Sequence, residues 1–256
     1  MLRLRNNGEA MRRRQLMAGA MAGALIVAGG SAGCVVEIGE TVEGSGSVKQ
    51  VERSAAGFHG VALSAACDVI VEQGEEEGVS IRGEENLLEY IETGVEDCVL
   101  RVGSRRGFNL RPTKPLIVAV SLKELDRLQI SGSGTLEAAN LNVVDLSIRV
   151  SGSGDAELLN LCADELTVRI SGSGDVTTAG YSTFQDVAIS GSGEYEAHGL
   201  ESDIASVEIT GSGSAAVNVN EELSVRITGS GDVAYGGRPE VKRRITGSGA
   251  LRRLED

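Results

Sequence analysis

The chain has no tryptophan, only 3% aromatic residues, three prolines and two histidines in 256 residues. Each shortage excludes something. Without aromatics, a core must be built from Val, Ile, Leu and Ala. With so little Pro, the 35 glycines do not describe a Pro-rich linker protein. A hydrophobic content of 41% excludes bulk disorder. The two histidines, His59 and His198, sit in no catalytic motif and read as structural.

Basic charge is also short. The net charge is −13, and residues 1–33 hold five of the 24 basic and one of the 37 acidic residues. The remainder carries 19 basic against 36 acidic residues, a net of −17. Such a surface repels nucleic acid and anionic headgroups, so neither is expected as a direct partner.

The N-terminus reads as an address. Arg12-Arg13-Arg14 precedes Gln15-Leu16-Met17 and an uncharged run through Val36. A basic patch before a short apolar stretch is an export signal, and the arginines with Leu16 and Met17 resemble the twin-arginine type. The run ends in Ser31-Ala32-Gly33-Cys34, which resembles a bacterial lipoprotein cleavage box and implies lipidation of Cys34. Ser31 stands where that box usually has Leu. Simple secretion and an uncleaved membrane anchor are the other readings. All three put the rest of the chain outside the cytoplasm, with residues 1–33 as signal and 34–56 as a tether or capping segment.

What is abundant is a phrase. [S/T]-G-S-G begins at Ser131, Ser151, Ser171, Ser190, Thr210, Thr228 and Thr246, at intervals of 18 to 20 residues. Most copies follow an alternating strand such as Leu146-Ser147-Ile148-Arg149-Val150 or Leu166-Thr167-Val168-Arg169-Ile170. Leu, Ile and Val fall on one face and Ser, Thr and Arg on the other. A second apolar position follows the glycines (Leu136, Ala156, Val176, Tyr195, Ala215, Val233, Leu251), and a third comes later (Leu141, Leu161, Tyr181, Leu200, Val219).

One such unit cannot bury its own apolar face, but stacked copies can. The expected fold is all-β: a parallel β-helix over residues 57–250, with coils of about 18–20 residues and a short charged tail at 251–256. Antiparallel hairpins would call for Asn-Gly or Asp-Gly turns, and no Asn-Gly lies within the repeats. The corner glycines are Gly132, Gly134, Gly152, Gly154, Gly172, Gly174, Gly191, Gly193, Gly211, Gly213, Gly229, Gly231, Gly247 and Gly249. They tolerate positive φ and leave room for their copies above and below. The hydroxyls beside them are expected to form ladders along the axis.

Residues 57–128 are less regular and read as wider first coils, with a helical turn near Glu84–Ile91 and a surface loop at Arg105–Pro115. "GFHGVALSAACDVIVEQG", then "GEENLLEYIETGVEDCVLRV", then the "ISGSG" repeats resemble the GIN domain family of auto-transporter adhesin heads, over roughly residues 50–250. The resemblance implies a right-handed parallel β-helix on exported, often lipid-anchored bacterial proteins. It supplies no catalytic residues.

Chemical motifs are scarce. No G-x-x-x-x-G-K-[S/T] or helix-opening G-x-G-x-x-G is present, and the Ser-Gly phrases lack the spacing of a nucleophile elbow. Asp155, Asp175 and Asp232 follow the phrase, but Thr135, Glu194, Ser214 and Ala250 take the equivalent places, too few acids for a stacked calcium site. No C-x-x-C spacing supports zinc. No cofactor is expected. Cys67 and Cys98, in neighbouring early coils, are candidates for a disulfide, and Cys162 for a free thiol in a bend. An ice-binding array is disfavoured by the glycines between the hydroxyls. The basic C-terminal cluster (Arg238, Lys242, Arg243, Arg244, Arg252, Arg253) is expected to pair with the acidic body and cover the last open coil.

The functional expectation is a cell-envelope lipoprotein whose β-helix binds an envelope protein or polysaccharide. The alternative is a β-helical carbohydrate-active enzyme, for which no convergent acid/base set is found.

Overall fold

The computed structural model describes residues 39–254, so the expected export signal (residues 1–33) and the expected lipidation site Cys34 lie outside the described residues. Strands begin with β1 (Glu40–Glu43), β2 (Val48–Arg53), β3 (Gly60–Leu63), β4 (Asp68–Gln73), β5 (Gly78–Glu84), β6 (Ile91–Glu96), β7 (Val99–Ser104), β8 (Phe108–Arg111) and β9 (Ile117–Leu122). A single 3-10 turn, Leu88–Tyr90, precedes β6. The repeats supply β10 (Arg127–Ile130), β11 (Thr135–Ala139), β12 (Asn142–Val150), β13 (Asp155–Ile170), β14 (Val176–Ile189), β15 (Glu194–Gly211), β16 (Ser214–Gly229), β17 (Asp232–Gly237), β18 (Glu240–Gly247) and β19 (Leu251–Arg253).

From β10 onward every pairing is parallel, each coil on the next, in a β-solenoid of about six turns. The register makes columns. Leu128, Ile148, Val168, Val187, Val207 and Val225 line up inside, as do Ile130, Val150, Ile170, Ile189, Ile209 and Ile227. All twelve are buried, and each is worth about 1.5–3 kcal/mol against leaving it in water. The inner column ends at Arg243, which stands opposite Val225 in the largely exposed strand β18. A charge there faces solvent, whereas one coil earlier it would be desolvated without a partner.

The first coils are not stacked in chain order. Parallel pairing puts β7 beside β3 and β3 beside β10, while β9 lies beside β4 and β4 beside β11. Residues 99–122 therefore form the coil outside residues 60–73. Beyond them the pairing turns antiparallel: β6 on β7, β5 on β9, β2 on β5. This corrects the expectation of simple wider coils. Hairpins close the end and cover edges that would otherwise template association. The expected loop at Arg105–Pro115 contains β8, which pairs with β1. At the other end β19 pairs with β17, so the fold continues into the segment expected to be tail.

At the corners, glycine carbonyls point along the axis and accept the next coil's amides, as in Ser173 N to Gly152 O (3.1 Å) and Ser230 N to Gly211 O (2.9 Å). A side chain on the later glycine would land on that carbonyl. Among the fourteen corner glycines only Gly211, Gly229 and Gly247 have positive φ, so stacking rather than dihedral freedom selects most of them. The hydroxyls do not form ladders with one another: Ser131 and Ser151 reach the carbonyls of Leu63 and Ile130. A true side-chain ladder sits at another bend, where Asn160 donates to Asn140 Oδ1 at 3.1 Å and both residues adopt φ of 57°.

Candidate functional site

Outward columns are as regular as inward ones, and they separate charge. On the strands before the corners the column runs Arg101, Ala62, Gln129, Arg149, Arg169, Ala188, Glu208, Arg226, Arg244. Its first five members, with Ser64, Ser131, Ser151 and Ser171 beside them, line a groove of about 370 Å³ with no acidic side chain in its lining. Arg101 Nε is held by Glu96 at 2.7 Å. Arg169 bonds the Asp186 carboxylate and, at 2.9 Å, the Asp186 carbonyl. Arg149 has no ion pair among the described residues.

The strands after the corners are acidic. Their column runs Asp68, Thr135, Asp155 on one side and Glu194, Ser214, Asp232 on the other, with Asp175 between. The aspartates that follow the phrase are structural: Asp155, Asp175 and Asp232 each accept the amide of the next coil, from Asp175, Glu194 and Ala250, at 2.8–3.0 Å. They satisfy backbone donors that the corner leaves without a strand partner.

Inside the solenoid a polar chain replaces aliphatic packing. Tyr195 donates to Gln185 Oε1 (3.1 Å) and takes a hydrogen bond from Thr178 (3.1 Å). Gln185 donates to Ser202, which donates to the Asn218 carbonyl at 3.0 Å. Gln185 stands in the column of Leu146, Leu166 and Leu223. Burial, eased by the Thr178 hydrogen bond, pushes the Tyr195 hydroxyl far above its ordinary range. Tyr181, expected in the core, is 40% exposed. The short coil pairs Gly180 with Leu161 and Tyr181 with Cys162, so glycine takes the inner place and Tyr181 bonds Asp203 at 2.7 Å.

At the capped end Glu84 is buried and accepts from Gly46 N (2.5 Å), Thr113 N and Oγ1 (both 2.7 Å) and Lys114 N (3.3 Å). Burial opposes its ionisation, but these hydrogen bonds outweigh it, and the carboxyl titrates below its ordinary value. It ties the turn after β1 to the segment after β8.

The remaining expected site residues do not converge. Cys67, Cys98 and Cys162 are free thiols. The Cys98 backbone carbonyl accepts the His59 and Gly60 amides, which sets Cys98 beside the start of β3, whereas Cys67 lies four residues beyond the end of β3, too far for a bridge. This corrects the expected pairing. Cys162 is exposed within a strand rather than filling a bend. His59 pairs with Asp126 (2.7 Å) and His198 with Glu196 (3.4 Å). Of the basic C-terminal cluster, Lys242 pairs with Glu222 at 2.8 Å.

Residues 57–239 match the family model described as putative auto-transporter adhesin, head GIN domain. The chain belongs to this family. Solved structures with the same fold include a putative adhesin from Bacteroides fragilis (21% identity, TM-score 0.79, 83% of this chain and 100% of that one). A putative lipid binding protein from Parabacteroides distasonis is 24% identical, with TM-score 0.72 over 84% of this chain and 100% of that one. A putative adhesin from Parabacteroides merdae is 26% identical, with TM-score 0.66 over 84% and 100%. No curated protein matches the chain. The family's adhesin character points to an exported or surface protein with a non-enzymatic role.

The groove is half legible in sequence. Arg149, Arg169 and Arg226 occupy the same place in the strand before the phrase and so share an outward column. Arg101 joins them only because β7 stacks out of chain order, for which the sequence carries no periodic signal.

Proposed function

We propose that the chain is a lipoprotein of the cell envelope, anchored through Cys34, whose solenoid is a binding module for an envelope polymer or protein. The observation that carries this reading is the parallel face itself. Side chains stand in register across many strands, on a backbone fixed by coil-to-coil hydrogen bonds. Such a face offers long, pre-ordered contact at little entropic cost and suits a repetitive or extended partner better than a small metabolite. The signal-like pattern read in residues 1–33 supports the location, and the family's adhesin character supports the role.

The test has two arms. Cells expressing the full chain are fed an alkyne-tagged fatty acid, and the wild type is expected to label while Cys34→Ala does not. The full chain in detergent is then incubated with fractionated envelope polymers, with retention expected and no change in polymer size. An unlabelled wild type would defeat the anchor, and release of shortened chains would defeat the binding role.

A further inference from the structure

We propose that the Arg101–Arg149–Arg169 groove binds a linear carboxylated polysaccharide, an assignment that rests on the binding-module reading and names its ligand class.

Charge comes first. The exported part carries a net −17, and its post-corner faces hold Asp68, Asp155, Asp175, Glu194 and Asp232. Against that background the groove collects three guanidinium groups and no acid in its lining. The column is bounded on the far side by Ala188 and Glu208. A positive strip between acidic faces concentrates an anionic polymer along one line.

Geometry then narrows the anion. Arg149 is uncommitted among the described residues, so its planar fork is free to hold a carboxylate through two parallel bonds. Arg101 spends Nε on Glu96, which fixes the side chain and leaves its two terminal nitrogens. Arg169 is held by Asp186 through backbone and side chain and serves as the edge of the site. Between Arg101 and Arg149 stand Ala62 and Gln129, three strand spacings, or about 14 Å. Charge that sparse does not match a nucleic acid, with one phosphate per about 1.7 Å of duplex, and no aromatic platform for bases lines the groove. It matches a polymer that spaces its carboxylates with uncharged hydroxylated units. The uncharged partners are there: the Gln129 amide and the hydroxyls of Ser131, Ser151 and Ser171 run beside the arginines and exchange hydrogen bonds with sugar hydroxyls. A membrane surface fits less well, because the lining offers no exposed apolar side chain to insert and the body repels anionic headgroups.

The test uses the full chain in detergent, passed over immobilised polygalacturonate, neutral dextran and vesicles rich in anionic lipid. Wild type is expected to bind polygalacturonate well above dextran and vesicles, with affinity falling as salt rises. Arg149→Ala is expected to weaken binding about tenfold, the worth of a charge-assisted hydrogen bond, and Arg101→Ala with Arg149→Ala to weaken it further. Arg149→Lys, which keeps charge but loses the fork, falls between. Arg226→Ala, in the same column outside the groove, leaves binding unchanged. Melting temperatures equal to wild type confirm intact folding. Equal retention on dextran, preference for the vesicles, or groove variants that bind like wild type would overturn the assignment. If an envelope polymer is retained while polygalacturonate is not, the groove assignment falls and the binding-module reading stands. If neither is retained, both fall.

Discussion

Gly213 lies over Gly193 so closely that a Cβ on Gly213 would sit 2.6 Å from the Gly193 carbonyl oxygen and 2.6 Å from Ile189 Cγ2. That carbonyl accepts the Ser214 amide, so it cannot rotate away without breaking the coil-to-coil bond. Gly213→Ala should therefore destabilise the fold by roughly 1–3 kcal/mol, as overpacking does. A Cβ on Gly94, in β6, would meet nothing within 4 Å, and the φ of Gly94 is not positive. Gly94→Ala should be neutral or stabilise by about 0.4–1 kcal/mol through the unfolded chain. Denaturant melts of the two variants decide it. Equal losses would mean that stacking is not what selects glycine at the corner.

Glu84 makes the capped end acid-sensitive. Its carboxyl is held below the ordinary 4.5, so the folded state binds its proton less readily than the unfolded state does. The stabilisation is full above the ordinary value and is lost as pH falls through the lower, folded one. Thermal melts between pH 6 and pH 3 should show the wild type losing stability on the acid side. Glu84→Gln should start lower at pH 6 and lose less on acidification. Parallel curves for the two proteins would remove Glu84 as the cause.

The buried chain from Thr178 to Asn218 is expected to be costly to break and cheap to replace. Tyr195→Phe leaves Gln185 Oε1 without its donor and should cost about 1–3 kcal/mol. Gln185→Leu restores the residue type of its column. In the double variant the two losses should sum to less than their separate values, because the partners stranded by one change are removed by the other. Strict additivity in a double-mutant cycle would show that the network is not coupled.

The three described thiols should differ in reactivity. Burial, aided by the charge on Asp68, pushes the Cys67 thiol up to about 12, while Cys98 and Cys162 are exposed. Since the thiolate is the reactive form, brief alkylation of the folded protein followed by peptide mapping should mark Cys98 and Cys162 and spare Cys67. Rapid labelling of Cys67 would place it outside the core.

Much of the solenoid can be read from the chain because its period is carried by residues with one job each. Leu-x-Ile/Val-x-Val/Ile set the inner columns, and Gly-x-Gly set the corner. Deviations are legible only where they break the length: the 19-residue interval before Ser190 turns Gly180 inward and Tyr181 outward, but sequence alone does not say which residue is skipped. The first coils are the opaque part. Placing β7 and β9 outside β3 and β4 depends on long-range pairing and on antiparallel hairpins whose strands look locally like any others. The arginine groove inherits that split, with Arg149 and Arg169 visible as a column and Arg101 delivered by topology. Glu84 gives no signal either, because a carboxylate in an acidic run, Glu84-Glu85, looks like a solvated face until Thr113 and Gly46 close over it.

The stacking itself is tested most directly by distance. Spin labels at equivalent corner positions, Ser131 with Thr210 and Ser131 with Thr246, are placed in a chain whose Cys34, Cys98 and Cys162 are changed to Ser. Double electron–electron resonance should return separations that grow with the number of coils crossed. Four steps give about 19 Å and six steps about 29 Å at the spacing of paired strands, plus a constant contribution from the label arms. Separations that do not lengthen from the first pair to the second would contradict the stacked solenoid.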